Sequence, residues 1–122
     1  MVRPSARRCR DERGIATVLA LALMGVLLAV TAVAVVATVV AVAGHRAGAA
    51  ADLAALAGAQ AVGDSRSACA AAALSAHRNG GEVTECSVVG LDVSVTVHVD
   101  TPRVVGLVWS VPADARAGPG SG

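Results

Sequence analysis

The sequence predicts an α+β protein with a long N-terminal transmembrane helix that continues into an alanine-rich helix and then into a small cap. The 29 residues from Ile15 to Ala43 carry no charge, and the alanine-rich stretch that follows them contains no proline. A period-two pattern of valines, typical of a half-buried strand, appears further along the chain. We therefore expect the cap to hold a short helix and an antiparallel sheet of two or three strands.

The apolar segment is long enough to cross a bilayer. As a helix rising about 1.5 Å per residue, residues 15–43 would measure roughly 44 Å, more than the ~30 Å hydrocarbon core. The segment's polar side chains are Thr17, Thr31 and Thr38. A helix satisfies its own backbone hydrogen bonds in lipid, so the segment is predicted to be a transmembrane helix that tilts to fit.

Charge predicts the orientation of this helix. The leader, residues 1–14, has five arginines against Asp11 and Glu12, whereas the rest of the chain has five arginines against seven acids. The positive-inside rule then keeps the leader in the cytoplasm and the C-terminus outside, in a single-pass protein of the cell membrane. A nucleic-acid-binding tail is the alternative, but the leader lacks interleaved aromatic residues, so no nucleic-acid partner is expected.

Two other interpretations of the apolar segment stay open. A cleaved secretory signal could end at Ala41-Val42-Ala43, which would release a soluble protein beginning at Gly44. Its apolar region would be about twice the usual length. A buried helix of a soluble protein is the other alternative, but little else in the chain could cover it.

The alanine-rich extension, residues 44–62, is predicted to remain helical and to present a surface of small side chains. Such a surface allows a second helix to approach closely. An alanine-rich helix can also contain these spacings by chance. The predicted helix-packing face consists of Gly44, Gly48, Ala51, Ala54 and Gly58.

The cap is predicted to occupy residues 63–112. A break at 63–65, with Asp64 or Ser65 as the N-cap, precedes a helix that ends near Arg78. Strands are expected at 83–89 and 91–99, joined by a turn at Gly90 and one neighbour, with a third at 104–111. The valines at 93, 95, 97 and 99, with Leu91, should face inward. Residues 113–122 are predicted to be a disordered tail.

Cys69 and Cys86 fall on the predicted second helix and the first strand of the cap. In an oxidising compartment a disulfide between them would tie helix to sheet and contribute about 3 kcal/mol. Two free buried thiols are the alternative, and Cys9 receives no role. The histidines at 45, 77 and 98 lie on separate elements, so we expect no metal, no cofactor, no catalytic residue and no small-molecule substrate.

Two stretches of the chain resemble a known family. Residues 12–17, Glu-Arg-Gly-Ile-Ala-Thr, run directly into the apolar segment, and the alanine-rich residues 47–59 contain the block Ala-Asp-Leu-Ala-Ala-Leu-Ala. Together they resemble the N-terminal region of the Tad/Flp pilus-assembly proteins of the TadE and TadG type. The similarity is greatest to short TadE-like proteins of actinobacteria, encoded near secretion genes, which share a paired-cysteine cap and the ending seen at 115–119.

The resemblance implies a pilin-like fold and a prepilin-type processing junction between Gly14 and Ile15, cut by a membrane peptidase. Leu19 stands where prepilins usually have glutamate. The implied function is a non-enzymatic pseudopilin-like component of a Tad-type pilus or secretion apparatus. Its implied partners are the bilayer, other Tad-type subunits and a prepilin peptidase. A secreted binding or effector protein and an unprocessed membrane-tethered subunit are the alternatives.

Overall fold

The computed structural model describes residues 8–103 and 106–120. Helix α1 is Arg8–Gly63 and helix α2 is Ala68–Arg78, followed by strands β1 (Gly81–Val89), β2 (Asp92–Asp100) and β3 (Ser110–Ala117). The three strands form one antiparallel sheet in the order β1-β2-β3. The predicted α+β class is confirmed, with a long apolar N-terminal helix, a short helix and a three-stranded sheet. The chain divides into two compact units, residues 1–37 and 38–122.

In the first unit, the apolar surface of α1 is exposed. Every side chain from Ile15 to Ala37 is exposed, the leucines and valines included. Thr31 donates its hydroxyl to the carbonyl oxygen of Leu27 at 2.8 Å. This bond satisfies the hydroxyl within the helix. In the described part of the chain, α1 is the one helix long and apolar enough to cross a membrane.

In the second unit, β1 and β2 form a tight hairpin. Val89 pairs with Asp92, so Gly90 and Leu91 make a two-residue turn. Gly90 has φ +63° and Leu91 does not share the positive φ, which matches a type II′ turn with glycine at its first central position. The register shifts between Val83 and Glu85, where Thr84 forms a bulge in β1.

The core of the second unit is built from alanine and valine. β2 alternates as predicted, with Val93, Val95, Val97 and Val99 buried. Alanines of α1 and α2 pack against these valines in one cluster. The absence of larger side chains brings helix and sheet backbones close together, because little volume separates them.

Both ends of α2 are capped. Ser67 is the N-cap, and its hydroxyl oxygen accepts from the amide of Ala70 at 3.4 Å. At the other end, the Asn79 side chain donates to the carbonyl oxygen of Ser75 at 2.8 Å, and Gly80 adopts φ +76°. These caps stop the helix two residues before β1 begins.

The structure corrects three details of the cap. The third strand is Ser110–Ala117 instead of 104–111, so residues 113–117 belong to the sheet and not to a disordered tail. Pro112 is tolerated because β3 is an edge strand. The N-cap is Ser67 and not Asp64 or Ser65, because α2 begins only at Ala68; Asp64 pairs with Arg66. Leu91 is exposed because it belongs to the turn.

Candidate functional site

The predicted processing junction lies in the first unit, within α1. Gly14 and Ile15 are both helical and exposed. A Cβ built on Gly14 would meet nothing within 4 Å. The junction is therefore open on the helix surface. Arg3 and Arg7 of the leader lie outside the described residues.

The predicted helix-packing face divides into two parts. Ala51, Ala54 and Gly58 are buried, whereas Gly44 and Gly48 are half-buried with open space where a Cβ would stand. The buried part packs in one cluster with residues of the chain's own sheet and α2. The sequence predicted a surface of small residues on α1, but helical spacing alone does not say which element approaches it.

Gly58 lies at a close approach between α1 and the rest of the cap. A Cβ at this position would fall 2.8 Å from Cγ1 of Val93 and 3.2 Å from the carbonyl oxygen of Ala68. Because both distances are shorter than ordinary contacts, only glycine fits without a shift of its neighbours. The residue thus fixes α1 against β2 and the start of α2 at once.

The disulfide between Cys69 and Cys86 joins α2 to β1, as predicted. The two Cα atoms are 5.9 Å apart and the cysteines are separated by 17 positions in the sequence. The buried residues of α2 are Ala68, Ala72 and Ala76, each with only one methyl group to bury. The covalent link therefore holds in place a helix whose apolar contact is small.

The solvent face of the sheet carries cross-strand polar pairs. Thr96 donates its hydroxyl to Oδ1 of Asp114 at 2.7 Å, and Arg116 Nη2 lies 2.5 Å from Oδ2 of Asp92. These pairs tie the edge strand β3 to β2. His98 Nδ1 lies 3.1 Å from the Ser110 hydroxyl on the same face. Within residues 8–103 and 106–120, no three His, Cys, Asp or Glu side chains are grouped to hold a metal ion.

A nine-residue connection, 101–109, joins β2 to β3. Its two ends are held together, since the Thr101 amide donates to the carbonyl oxygen of Trp109 at 2.7 Å. Large apolar side chains follow one another in its second half and are exposed, at Leu107, Val108 and Trp109. Sequence reasoning missed this feature, although the chain's single aromatic residue, set in an apolar run between two prolines, was the available signal.

The flank of the cap formed by α1 and α2 also exposes apolar side chains. Leu53 and Leu56 of α1 and Leu74 of α2 are exposed. A shallow groove lies between the two helices, lined by Ala57, Gln60, Ala70 and Leu74 among others. This flank is the side of α1 that the sheet leaves uncovered.

Comparisons with known proteins add no relative. No family model, no curated protein and no solved structure matched the chain.

Proposed function

We propose that the chain is a pseudopilin-like membrane component of a Tad/Flp-type pilus or secretion apparatus, working through helix packing and cap contacts without catalysis. The observation that carries the proposal is the division of α1. Its residues 15–37 are apolar and exposed, while residues 43–61 present an alanine face that is buried by the chain's own cap. A helix built in this way can sit in lipid with its first half and carry a folded domain on its second half.

The pilin-like fold belongs to this proposal. A long N-terminal helix whose second half packs against an antiparallel sheet is the architecture that the resemblance implies, and the contacts of Ala47, Ala51 and Ala54 with the β2 valines support it. The Cys69–Cys86 disulfide supports an oxidising location for the cap. The arginine-rich leader supports a cytoplasmic N-terminus.

Contacts between copies then use surfaces other than the buried part of the predicted helix-packing face. The buried alanines of α1 are occupied inside the cap. The surfaces left for assembly are the exposed side chains of residues 15–37 and the flank with Leu53, Leu56 and Leu74. We propose that other Tad-type subunits pack against these surfaces.

The secreted alternative is less well supported. Release by signal peptidase would require a cut after Ala43, which is helical and only 2% exposed. The peptidase would have to unwind α1 at a point where it packs against the cap. The Gly14–Ile15 junction, in contrast, is exposed and lies outside the cap.

N-terminal sequencing of the mature protein tests the proposal. The full-length chain is expressed with a prepilin peptidase and, in parallel, with an inactive peptidase. The proposal predicts Ile15 as the first residue with the active enzyme alone. A Gly14→Leu variant should remain uncut, whereas Gly25→Ala, a change at another exposed glycine of α1 with open space around it, should be cut normally.

Each other result favours a different function. A mature N-terminus at Gly44 would support the secreted protein. An intact N-terminus in the presence of active peptidase would support the tethered accessory subunit and contradict the pilin route.

A further inference from the structure

The two end residues of the loop between β2 and β3 are hydrogen-bonded to each other. The Thr101 amide donates to the Trp109 carbonyl oxygen at 2.7 Å, and the Trp109 amide donates to the Thr101 hydroxyl oxygen at 2.9 Å. Thr101 itself is buried. These reciprocal bonds hold the backbone of Trp109 beside Thr101, at the end of β2.

The loop exposes three consecutive large apolar side chains. Leu107 is 57% exposed, Val108 48% and Trp109 43%. A run of this kind loses the free energy that burial would provide, and in soluble proteins it marks a contact site. Gly106, with φ +77°, supplies the backbone bend that precedes the run. We therefore expect these three side chains to contact something other than water.

The loop lies at the end of the cap where α1 enters. Val99, Asp100 and Pro102 line a small cavity together with Thr38, Val39 and Val42 of α1. At the opposite end of β2, Val93 contacts Gly58. β2 thus runs antiparallel to the second half of α1, and its C-terminal end leads into the loop beside the first α1 residues of the cap.

The length of α1 places those residues at a membrane surface. If the span begins at Ile15, about 20 residues cross the hydrocarbon core, which brings the helix to about residue 34. Thr38 to Val42 then fall in the headgroup region beyond it. Tryptophan prefers this region because its ring is both apolar and polar. Arg46 and Arg103, both exposed at the same end of the cap, can face lipid phosphates.

We propose that Leu107, Val108 and Trp109 insert into the outer interface of the bilayer that α1 crosses, as a second and shallow anchor. The proposal rests on the membrane topology of the proposed function. Its occupant is the lipid interface, because the loop lies on the end of the cap that joins the apolar segment.

Trp109 is the only tryptophan in the chain, so its fluorescence reports directly on the loop. The full-length protein is reconstituted into vesicles of phosphatidylcholine and phosphatidylglycerol, and flotation measures its membrane integration. We expect brominated phosphatidylcholine to quench Trp109, more strongly with bromine near the glycerol than near the chain ends. Aqueous iodide should quench weakly.

A double variant, Leu107→Asp with Val108→Asp, should reduce the quenching by brominated lipid to about half or less, because carboxylates oppose insertion. The matched control is Val89→Asp, an exposed valine at the hairpin end of β1, distant in register from the loop. This control should leave the quenching unchanged.

The outcomes separate the two proposals. If the protein floats with the vesicles but iodide quenches Trp109 and brominated lipid does not, the anchor is wrong and the proposed function is unaffected. Shielding from both quenchers would indicate a protein contact, such as a second copy, and would also overturn the anchor. A protein that does not float contradicts both proposals.

Discussion

Gly58 of α1 lies so close to Val93 of β2 that a Cβ at position 58 would fall 2.8 Å from the valine Cγ1. This relationship explains how a core made of alanine and valine holds together. The helix backbone itself forms part of the packing surface, and Val93, among the most deeply buried side chains, fills the space that the glycine leaves.

Gly58→Ala should destabilise the cap relative to Gly48→Ala by about 1–3 kcal/mol, because the added methyl group overpacks the contact with Val93. The control is well matched, since Gly48 lies in the same helix and a Cβ there meets nothing within 4 Å. Both changes gain the same helix propensity, which cancels in the comparison. Denaturant unfolding of the full-length protein in detergent, followed by Trp109 fluorescence, measures the difference. Equal stability of the two variants would show that the close approach is absent.

The valines of β2 should dominate the stability of the sheet. Val97→Ala removes two buried methyl groups and leaves a cavity, so we expect a loss of about 1–3 kcal/mol in the free energy of unfolding. Val97 has no exposed surface, whereas Val89, on the neighbouring strand, is 73% exposed. Val89→Ala should change the stability by less than about 0.5 kcal/mol. The same unfolding measurement compares the two, and a reversed order would reject the described core.

Removing the disulfide should destabilise the cap by about 3 kcal/mol, the value expected for closing a loop of this length. The change is Cys69→Ala with Cys86→Ala, and the unfolding midpoint is measured with and without reductant. Reductant should lower the midpoint of the wild-type protein to that of the double variant and leave the variant unaffected. Cys9→Ala is the control and should behave like the wild type in both conditions. A wild-type protein indifferent to reductant would mean that the bond does not contribute.

The hydrogen bonds between Thr101 and Trp109, at the ends of the β2–β3 loop, provide another test of the structure. Thr101→Val keeps the shape of the side chain but removes the acceptor for the Trp109 amide. Leaving this amide unpaired should cost about 1–3 kcal/mol. In Thr84→Val, the control, the lost hydroxyl belongs to an exposed bulge residue that donates to the Thr96 carbonyl oxygen at 3.4 Å, and the change should stay within about 0.5 kcal/mol. Amide exchange of Trp109, measured by NMR in detergent, should accelerate in the first variant only.

Much of the cap could be predicted from the sequence because its signals are local. The alternation of the β2 valines with polar residues, the turn at Gly90 and the stop at Asn79-Gly80 each depend on a few adjacent residues. The disulfide also followed from where its two cysteines stand on those elements.

The details that sequence reasoning missed depend on contacts over longer distances. The third strand alternates small apolar and polar residues from Val111 to Ala117, but alanine is a weak strand former and Pro112 interrupts the pattern. Its pairing with β2 is what makes it a strand. In the same way, the spacing of small residues on α1 predicted a contact surface, and only the fold identifies the chain's own valines as the partner.

The central claim is that the apolar part of α1 crosses the membrane and that the cap lies outside, and a membrane-impermeant maleimide tests it most directly. A Val89→Cys variant, made in a Cys9→Ser background and expressed in bacterial protoplasts without a prepilin peptidase, places one free thiol on the cap. The matched chain keeps Cys9 and has Val89 unchanged. We predict that intact protoplasts label position 89 and that Cys9 is labelled only after permeabilisation. Labelling of position 89 that requires permeabilisation, with Cys9 labelled in intact protoplasts, would contradict the claim.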